Sequence, residues 1–284
     1  MIRSLYRYLS PKFQKVFLEY KVNFKPRFGH GNGGAHPQLL SIIESRRDDY
    51  KAHLNHFLTY KEVFHAIKRA DREDNADNPS WNNGMLPGLD IIATYSLLRH
   101  YNPSQYIEVG SGNSTKVARK AINEGNLKTK ITSIDPFPRA NIDHLANKII
   151  RVPIENLNDH SIFKELNRGD VLFIDNSHRA LPNSDVTVCF LEILPILKPG
   201  VIVHVHDIYI PFDYPQFMCD RAYSEQYVLA AFLLANPAKY KTIMPNYFVS
   251  EDEELSAILK PIWNHESLIG VEQHGGSYWF EIGE

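Results

Sequence analysis

The sequence predicts an α/β fold in which a parallel sheet carries helices on both faces. From residue 89 onward, short apolar segments alternate with longer amphipathic ones, which is the pattern of strands and helices in turn. The segment Val171–Ile174 is hydrophobic throughout, as a strand covered on both faces should be. Glycine or polar residues follow several of the apolar segments, at the positions where open parallel sheets bind ligands.

The predicted strands of this region cover residues 106–109, 130–134, 149–152, 171–174, 201–205, 241–249 and 277–282. The predicted helices cover residues 89–100, 115–124, 186–197, 225–235 and 251–260. Repeated strand–helix alternation favours parallel strands joined by right-handed crossovers. The long connection before the last strand leaves its direction open on pattern alone.

An N-terminal extension precedes this region. Residues 39–70 have helical periodicity, and the polar, breaker-rich residues 71–80 predict a boundary. The sequence therefore predicts a first portion at 1–80, made of a basic arm, a glycine-rich loop and helices, and a main domain at 81–284. The glycine-rich loop at 28–37 lacks a preceding strand and a Gly-Lys-Ser/Thr ending, so we interpret it as a flexible connection rather than a phosphate cradle.

The arm is basic and aromatic. Residues 1–30 carry seven basic side chains against one acidic side chain, a net charge of +6, interleaved with tyrosines and phenylalanines. The basic residues are Arg3, Arg7, Lys12, Lys15, Lys21, Lys25 and Arg27. Such a segment either makes peripheral contact with an anionic membrane or packs its aromatic rings on the main domain or on a second subunit of a homo-oligomer. Its irregular apolar spacing favours packing.

The composition is that of a soluble globular protein. The 284 residues are 43% hydrophobic and carry a formal net charge of −2, which gives no general attraction to nucleic acid. The apolar runs are shorter than the ~20 residues that span a bilayer. The first residues lack a secretory signal, and two cysteines make no disulfide framework. We therefore expect a cytoplasmic protein with neither a nucleic-acid partner nor an integral membrane segment.

The stretch YIEVGSGNST, residues 106–115, predicts a ligand loop at the end of the first strand. Gly110 permits a sharp turn, and Gly112 allows a ligand to touch the backbone. Asp135 ends the second strand 25 residues after Gly110, close to the spacing at which an acid receives a ribose hydroxyl pair. Thr115 stands where a dinucleotide loop would have its third glycine. The predicted cofactor contacts are Glu108, Gly110, Ser111, Gly112, Asn113, Ser114, Asp135 and Asp175.

Four more residues lie where the fourth and fifth strands end: Asp175, His178, His206 and Asp207. These are the candidate catalytic residues, and two chemistries fit them. Asp175, His178 and Asp207 could hold a divalent cation that lowers the pKa of a substrate hydroxyl. Alternatively His178 or His206 is a general base. The structural alternative is that the acids cap loops and the histidines donate to backbone.

Several neighbouring features have both a functional and a structural interpretation. His204, deeper in the fifth strand, is predicted to be a core histidine with satisfied hydrogen bonds. Residues 209–217 are placed to form a lid or acceptor-site loop, or alternatively an interface segment. Residues 81–90 could cover the cofactor, or Trp81 could serve packing alone. Arg179 is either an anion contact or a surface arginine.

Five stretches together resemble a known family. YIEVGSGNSTKVARKAI, ITSIDPFPR, DVLFIDNSHRALPNSDV, LPILKPGVIVHVHDIYIPFDYP and GGSYWFEI are similar to class I S-adenosylmethionine-dependent methyltransferases, and in particular to bacterial members with Asp-x-x-His after strand 4 and His-Asp after strand 5. The resemblance covers about residues 81–284. It implies a doubly wound, Rossmann-like sheet of seven mostly parallel strands with the last antiparallel. It also implies that Gly110 and Gly112 pass under the methionine part of S-adenosylmethionine and that Asp135 holds its ribose.

The resemblance leads to a functional expectation. We expect transfer of a methyl group from S-adenosylmethionine to an oxygen of a small-molecule or saccharide acceptor. One alternative is a non-catalytic protein that binds the nucleoside cofactor on the same fold, which gains if the four candidate catalytic residues do not converge. A second is an NAD-dependent oxidoreductase, which Thr115 disfavours.

Overall fold

The sheet has seven strands in the order β3-β2-β1-β4-β5-β7-β6, in a computed structural model that describes residues 6, 8–11 and 14–284. The strands are β1 Gln105–Val109, β2 Lys130–Ile134, β3 Lys148–Ile150, β4 Val171–Ile174, β5 Ile202–His206, β6 Tyr240–Pro245 and β7 Ser277–Ile282. Strands β1 to β5 pair in parallel, and β7 runs antiparallel to both of its neighbours. The predicted doubly wound α/β fold is confirmed, including the direction of the last strand.

Helices cover both faces of this sheet. Numbered from the glycine-rich loop onward, they are α1 Pro37–Glu44, α2 Arg47–Phe57, α3 Lys61–Ala66, α4 Gly88–Tyr101, α5 Asn113–Gly125, α6 Ser161–Lys164, α7 Asp185–Val188, α8 Gln216–Cys219, α9 Glu225–Ala235, α10 Asn246–Glu251, α11 Glu253–Ile258 and α12 Lys260–Trp263. A π-helical stretch Cys189–Ile193 and a 3-10 turn Leu194–Ile196 extend α7. Strand order reverses between β1 and β4, so the polar residues that follow these two strands lie at the switch point.

Burial explains why the central strands form. All four residues of β4 are buried, and β1 buries Tyr106 to Val109 although Glu108 is an acid. Leu54 and Phe57 of α2 belong to the same buried cluster as Trp279 of β7. The N-terminal helices therefore share one core with the sheet.

Two predicted elements differ from the structure. The helical pattern over residues 39–70 becomes three helices, because Arg46 and Tyr60 leave helical backbone angles (φ −119°, ψ 21° and φ −105°, ψ 13°). The strand predicted over 241–249 ends at Pro245, and α10 begins at Asn246. Both differences arise because apolar periodicity marks a buried face without marking where the chain bends.

The glycine-rich loop is not the loose connection that was predicted. The Nε2–H of His30 donates to the Asp213 carbonyl at 2.8 Å, and the N–H of His36 donates to the Pro211 carbonyl at 2.8 Å. The N–H groups of Arg27 and Phe28 both donate to the Asp213 carboxylate. Its backbone is thus fixed to the segment that follows β5.

The arm preceding this loop does not bury its described aromatic side chains on the main domain. Phe17 is 78% exposed and Tyr20 is 75% exposed. Arg3, Arg7 and Lys12 lie outside the described residues. Packing against a second subunit and contact with an anionic membrane both remain predictions. Within the described part of the chain, every helix is too short or too polar to cross a bilayer.

Candidate active site

The two glycines of the loop after β1, Gly110 and Gly112, serve different structural purposes. Gly110 has φ +84°, and a Cβ atom there would lie 1.8 Å from the Asp175 carbonyl oxygen. Any side chain at this position would collide with the end of β4, so Gly110 joins the two ends of the switch point. At Gly112, by contrast, no described atom lies within 4 Å of such a Cβ. The open space required for a ligand therefore lies at Gly112.

Glu108 supports this loop from behind. Its side chain is fully buried and accepts hydrogen bonds from the hydroxyls of Ser114, at 3.1 Å, and Thr115. Burial raises the pKa of Glu108 to about 8, even though the hydroxyl contacts favour the charged form. Glu108 and the buried Ser114 thus stabilise the start of α5, and the direct cofactor contact predicted for them stays a prediction.

Asp135 lies beside the loop with hydrogen-bonding capacity to spare. Its two oxygens each accept one backbone N–H, from Ser111 at 2.9 Å and from Phe137 at 2.8 Å. A carboxylate has about four lone-pair positions, so the ribose hydroxyls that were predicted to bind there have acceptors left. The Phe137 ring, two residues further on, is 87% exposed. An apolar ring at this distance from Asp135 is a surface against which a purine could pack.

The segment at 81–90 contacts the start of α5 through Asn83, and its predicted role as a cover for the cofactor stays a prediction. The Asn83 side-chain oxygen accepts from the N–H groups of Met85 and Leu86 and from the side-chain amide of Asn113 at 3.0 Å. The Met85 carbonyl in turn lies 3.0 Å from His206 Nε2. One short segment thus links Asn113 of the loop after β1 to the end of β5.

His178 is held on three sides. Its Nδ1 lies 2.9 Å from Glu225 Oε2, and its ring stacks on Tyr223 with 4.7 Å between centroids. Its Nε2 lies 3.4 Å from Asp175 and 3.3 Å from Asp207. Burial alone lowers the pKa of His178, but the three surrounding carboxylates outweigh it and raise the pKa well above its usual value. The surrounding carboxylates therefore favour the imidazolium form of His178.

The two aspartates are the parts of this cluster that reach solvent. The Asp175 side chain is 35% exposed and that of Asp207 is 21% exposed, whereas the His178 side chain is 7% exposed. Burial tends to raise the pKa of Asp175, but the positive charges of His206 and His178 outweigh it and hold the pKa at about 2. The exposed edge of the cluster is consequently anionic.

His206 has a structural task in addition to its place at the sheet edge. Its Nε2 must donate to the Met85 carbonyl, because a carbonyl only accepts, and its Nδ1 lies 3.6 Å from the buried Asp90. Burial lowers the pKa of His206, and the carboxylates of Asp207, Asp175 and Asp90 outweigh it, so the pKa is raised. In this arrangement the ring nitrogens of both His178 and His206 face protein groups, and the assignment of either histidine as a general base stays a prediction.

The predicted cation site does not fit this geometry. Within residues 6, 8–11 and 14–284, no group of three or more His, Cys, Asp or Glu side chains is arranged to hold a metal ion. Asp175 and Asp207 instead point at His178 Nε2, whose positive charge offsets theirs. A metal held by Asp175, His178 and Asp207 would first have to displace the Nε2 proton.

His204 lies in the core, but its predicted hydrogen bonds are absent from the described structure. The ring stacks on Trp279 at 4.5 Å and meets the Phe173 ring edge-on at 4.2 Å. Neither ring nitrogen has a hydrogen-bond partner among the described residues. Burial lowers the pKa of His204 well below its usual value, so the ring is neutral.

Three buried residues of the site escaped the sequence analysis: Glu225, Tyr223 and Asp90. Glu225 is the first residue of α9, a helix that is otherwise almost entirely apolar. An acid at the start of such a helix is ordinary on dipole grounds, so its pattern gave no separate signal. Asp90 accepts from Asn246 at 2.7 Å and from the N–H of Gly276, contacts that only the fold reveals.

Comparison with known proteins supports this description. Residues 107–208 match a family model described as a methyltransferase domain. The match runs from β1 through the end of β5, so it includes the loop after β1, Asp135 and the Asp175–Asp207 cluster. An uncharacterized protein from Archaeoglobus fulgidus is 31% identical over 91 residues, which are 30% of this chain and 41% of that protein. The match thus spans less than half the length of that relative.

Solved structures with partial overlap include methyltransferases from two organisms. One is a Podospora anserina methyltransferase with bound S-adenosylhomocysteine, at 16% identity and TM-score 0.41, covering 70% of this chain and 90% of that one. Another is a putative methyltransferase from Thermobifida fusca, at 14% identity and TM-score 0.39, covering 71% and 85%. Both structures match this chain with TM-scores below 0.5. Residues 107–208 thus match a methyltransferase domain, and the strand order is the seven-stranded arrangement that the resemblance implied.

Proposed function

We propose that this protein transfers the methyl group of S-adenosylmethionine to a hydroxyl oxygen of a small-molecule or saccharide acceptor. One observation carries the proposal: the ligand loop and the acidic cluster meet at the same sheet edge. The contact of Gly110 with the Asp175 carbonyl joins them directly. The four candidate catalytic residues converge, so the condition that would favour a non-catalytic binding protein is not met.

The described residues fit the cofactor. The open space at Gly112 admits a ligand against the backbone, and Asp135 has acceptors for hydroxyl groups. S-adenosylmethionine, when bound, supplies a methyl group on a positively charged sulfur. The anionic edge formed by Asp175 and Asp207 is complementary to that positive charge.

The acidic cluster also accounts for proton removal. As the bond from the methyl carbon to sulfur breaks and a C–O bond forms, S-adenosylhomocysteine is released and the acceptor O–H becomes strongly acidic, so that a nearby carboxylate can accept its proton. Asp175 and Asp207 are the exposed groups able to do so. His178, fixed between them, helps to hold the pKa of Asp175 low and orients both carboxylates, which lowers the entropic cost of reaching a reactive geometry.

A calorimetric titration tests the cofactor part of the proposal. We expect S-adenosylhomocysteine to bind and NAD not to bind. Replacing Asp135 by Ala removes hydrogen bonds from ribose to a charged group and should weaken binding about 10- to 100-fold. Asp74→Ala is the matched control, since the Asp74 side chain is 96% exposed. Failure of a natively folded protein to bind S-adenosylhomocysteine would reject the proposal, and unchanged affinity in Asp135→Ala would reject the ribose assignment.

A further inference from the structure

Tyr223 connects His178 to two arginines. One ring contact of Tyr223 is the stack on His178 at 4.7 Å. The guanidinium carbons of Arg179 and Arg221 lie 5.1 Å and 4.7 Å from the centre of the same tyrosine ring. Both guanidinium groups therefore lie within about 10 Å of the His178 ring.

The positive charges of these arginines are not neutralised by the protein. Arg179 donates to the backbone carbonyls of Arg221 at 2.9 Å and Ser177 at 2.8 Å, which fixes its position without cancelling its charge. Within the part of the chain that the structure describes, neither Arg179 nor Arg221 pairs with a carboxylate. Arg221 is exposed and Arg179 is half-buried. Two adjacent, uncompensated guanidinium groups form a site for an anion.

Two residues next to this arginine pair have strained backbone angles. His178 has φ +61° and Ala222 has φ +56°, a left-handed conformation that costs free energy in a residue with a Cβ atom. The His178 carbonyl accepts the N–H groups of Ser224 and Glu225, which fastens the turn that carries Arg221 to the turn that carries Arg179. Two turns from distant parts of the chain thus hold the arginines together.

We propose that Arg179 and Arg221 bind an anionic group of the methyl acceptor, so that the acceptor is a hydroxylated molecule bearing a carboxylate or a phosphate. The inference rests on the proposed methyl transfer. Asp175 and Asp207 repel the anionic end of such a molecule while the arginines attract it. The opposite charges fix the direction of the acceptor, with its anion at Tyr223 and its hydroxyl at the acidic edge next to the loop after β1.

The first test uses inorganic phosphate and acetate as probes. With saturating S-adenosylhomocysteine and constant ionic strength set by chloride, the midpoint of thermal unfolding should rise with phosphate or acetate. Arg221→Ala should weaken the response at least about 10-fold in probe concentration, because a charge-assisted contact is lost. Arg72→Ala, at an exposed arginine elsewhere on the surface, should respond as the parent protein does.

The second test compares acceptors. Glucuronate and glucose 6-phosphate, set against glucose, separate a carboxylate from a phosphate and both from a neutral sugar, with release of S-adenosylhomocysteine as the readout. We expect turnover of at least one anionic acceptor and a rise in its KM in Arg179→Lys and Arg221→Ala, with the affinity for S-adenosylhomocysteine unchanged. An equal phosphate and acetate response in Arg221→Ala and the parent, or preference for the neutral sugar, would overturn the anion subsite. Loss of S-adenosylhomocysteine binding in the parent would instead reject the proposed function.

Discussion

Replacing Glu108 by Gln should change stability in a pH-dependent way that can be calculated. The pKa of Glu108 in the folded protein, about 8, lies above its ordinary value of 4.5. For such a group the stabilising contribution is complete below about pH 4.5 and is lost as the pH rises through 8. Relative to low pH, burial of Glu108 lowers the free energy of unfolding of the parent protein by about 3 kcal/mol at pH 7 and by about 1 kcal/mol at pH 5. Gln keeps the shape and the acceptor for Ser114 but carries no charge to bury.

Thermal unfolding of the two proteins measures this difference. The variant should gain about 2 kcal/mol relative to the parent between pH 5 and pH 7, or roughly 5 °C in the unfolding midpoint. Glu165→Gln, at an exposed glutamate, should show no such pH-dependent gain. A difference between Glu108→Gln and the parent that stays constant from pH 5 to pH 8 would refute the assignment of a neutral, buried carboxyl.

Two further predictions separate structure from chemistry at the same edge. Gly110→Ala should destabilise the fold by several kcal/mol, because its Cβ would meet the Asp175 carbonyl. Gly112→Ala should leave the unfolding midpoint unchanged and weaken S-adenosylhomocysteine binding. Equal effects of the two variants on stability would contradict this distinction. Turnover should persist in the presence of a chelator, because His178 supplies the positive charge between Asp175 and Asp207. A loss of turnover that Mg²⁺ restores would show that a metal ion displaces the proton on His178 Nε2.

The sequence predicted the elements whose signal is local. Strands β2, β4 and β7 were predicted with the bounds that the structure shows, because each is a short run of apolar or β-branched residues with a turn after it. Asp135 could be predicted as a ligand-binding acid for the same reason, because it ends a predicted strand at a fixed spacing from Gly110. Its side-chain contact with the N–H of Phe137 is also local, whereas the contact with the N–H of Ser111 joins residues 24 apart in the chain.

The remainder of the site depends on contacts between distant segments. Glu225 lies 47 residues from His178 in the chain, yet with Asp175 and Asp207 it raises the pKa of that ring. Asp213 fixes the glycine-rich loop from more than 180 residues away. Residue type and periodicity carry no record of such pairings, so the sequence predicted histidines as bases where the structure surrounds them with carboxylates.

The carboxylates around His178 determine which groups at the sheet edge can accept a proton. A histidine with one carboxylate neighbour could exchange a proton near neutral pH, but His178 has three such neighbours and stays charged. Its charge lies between Asp175 and Asp207 and reduces the repulsion between the two carboxylates. Under the proposed function, His178 orients these carboxylates and one of them accepts the proton. In the proposed arrangement, Asp175 and Asp207 attract the positively charged methyl donor at the loop after β1, and Arg179 and Arg221, near the same histidine, attract the anionic group of the acceptor.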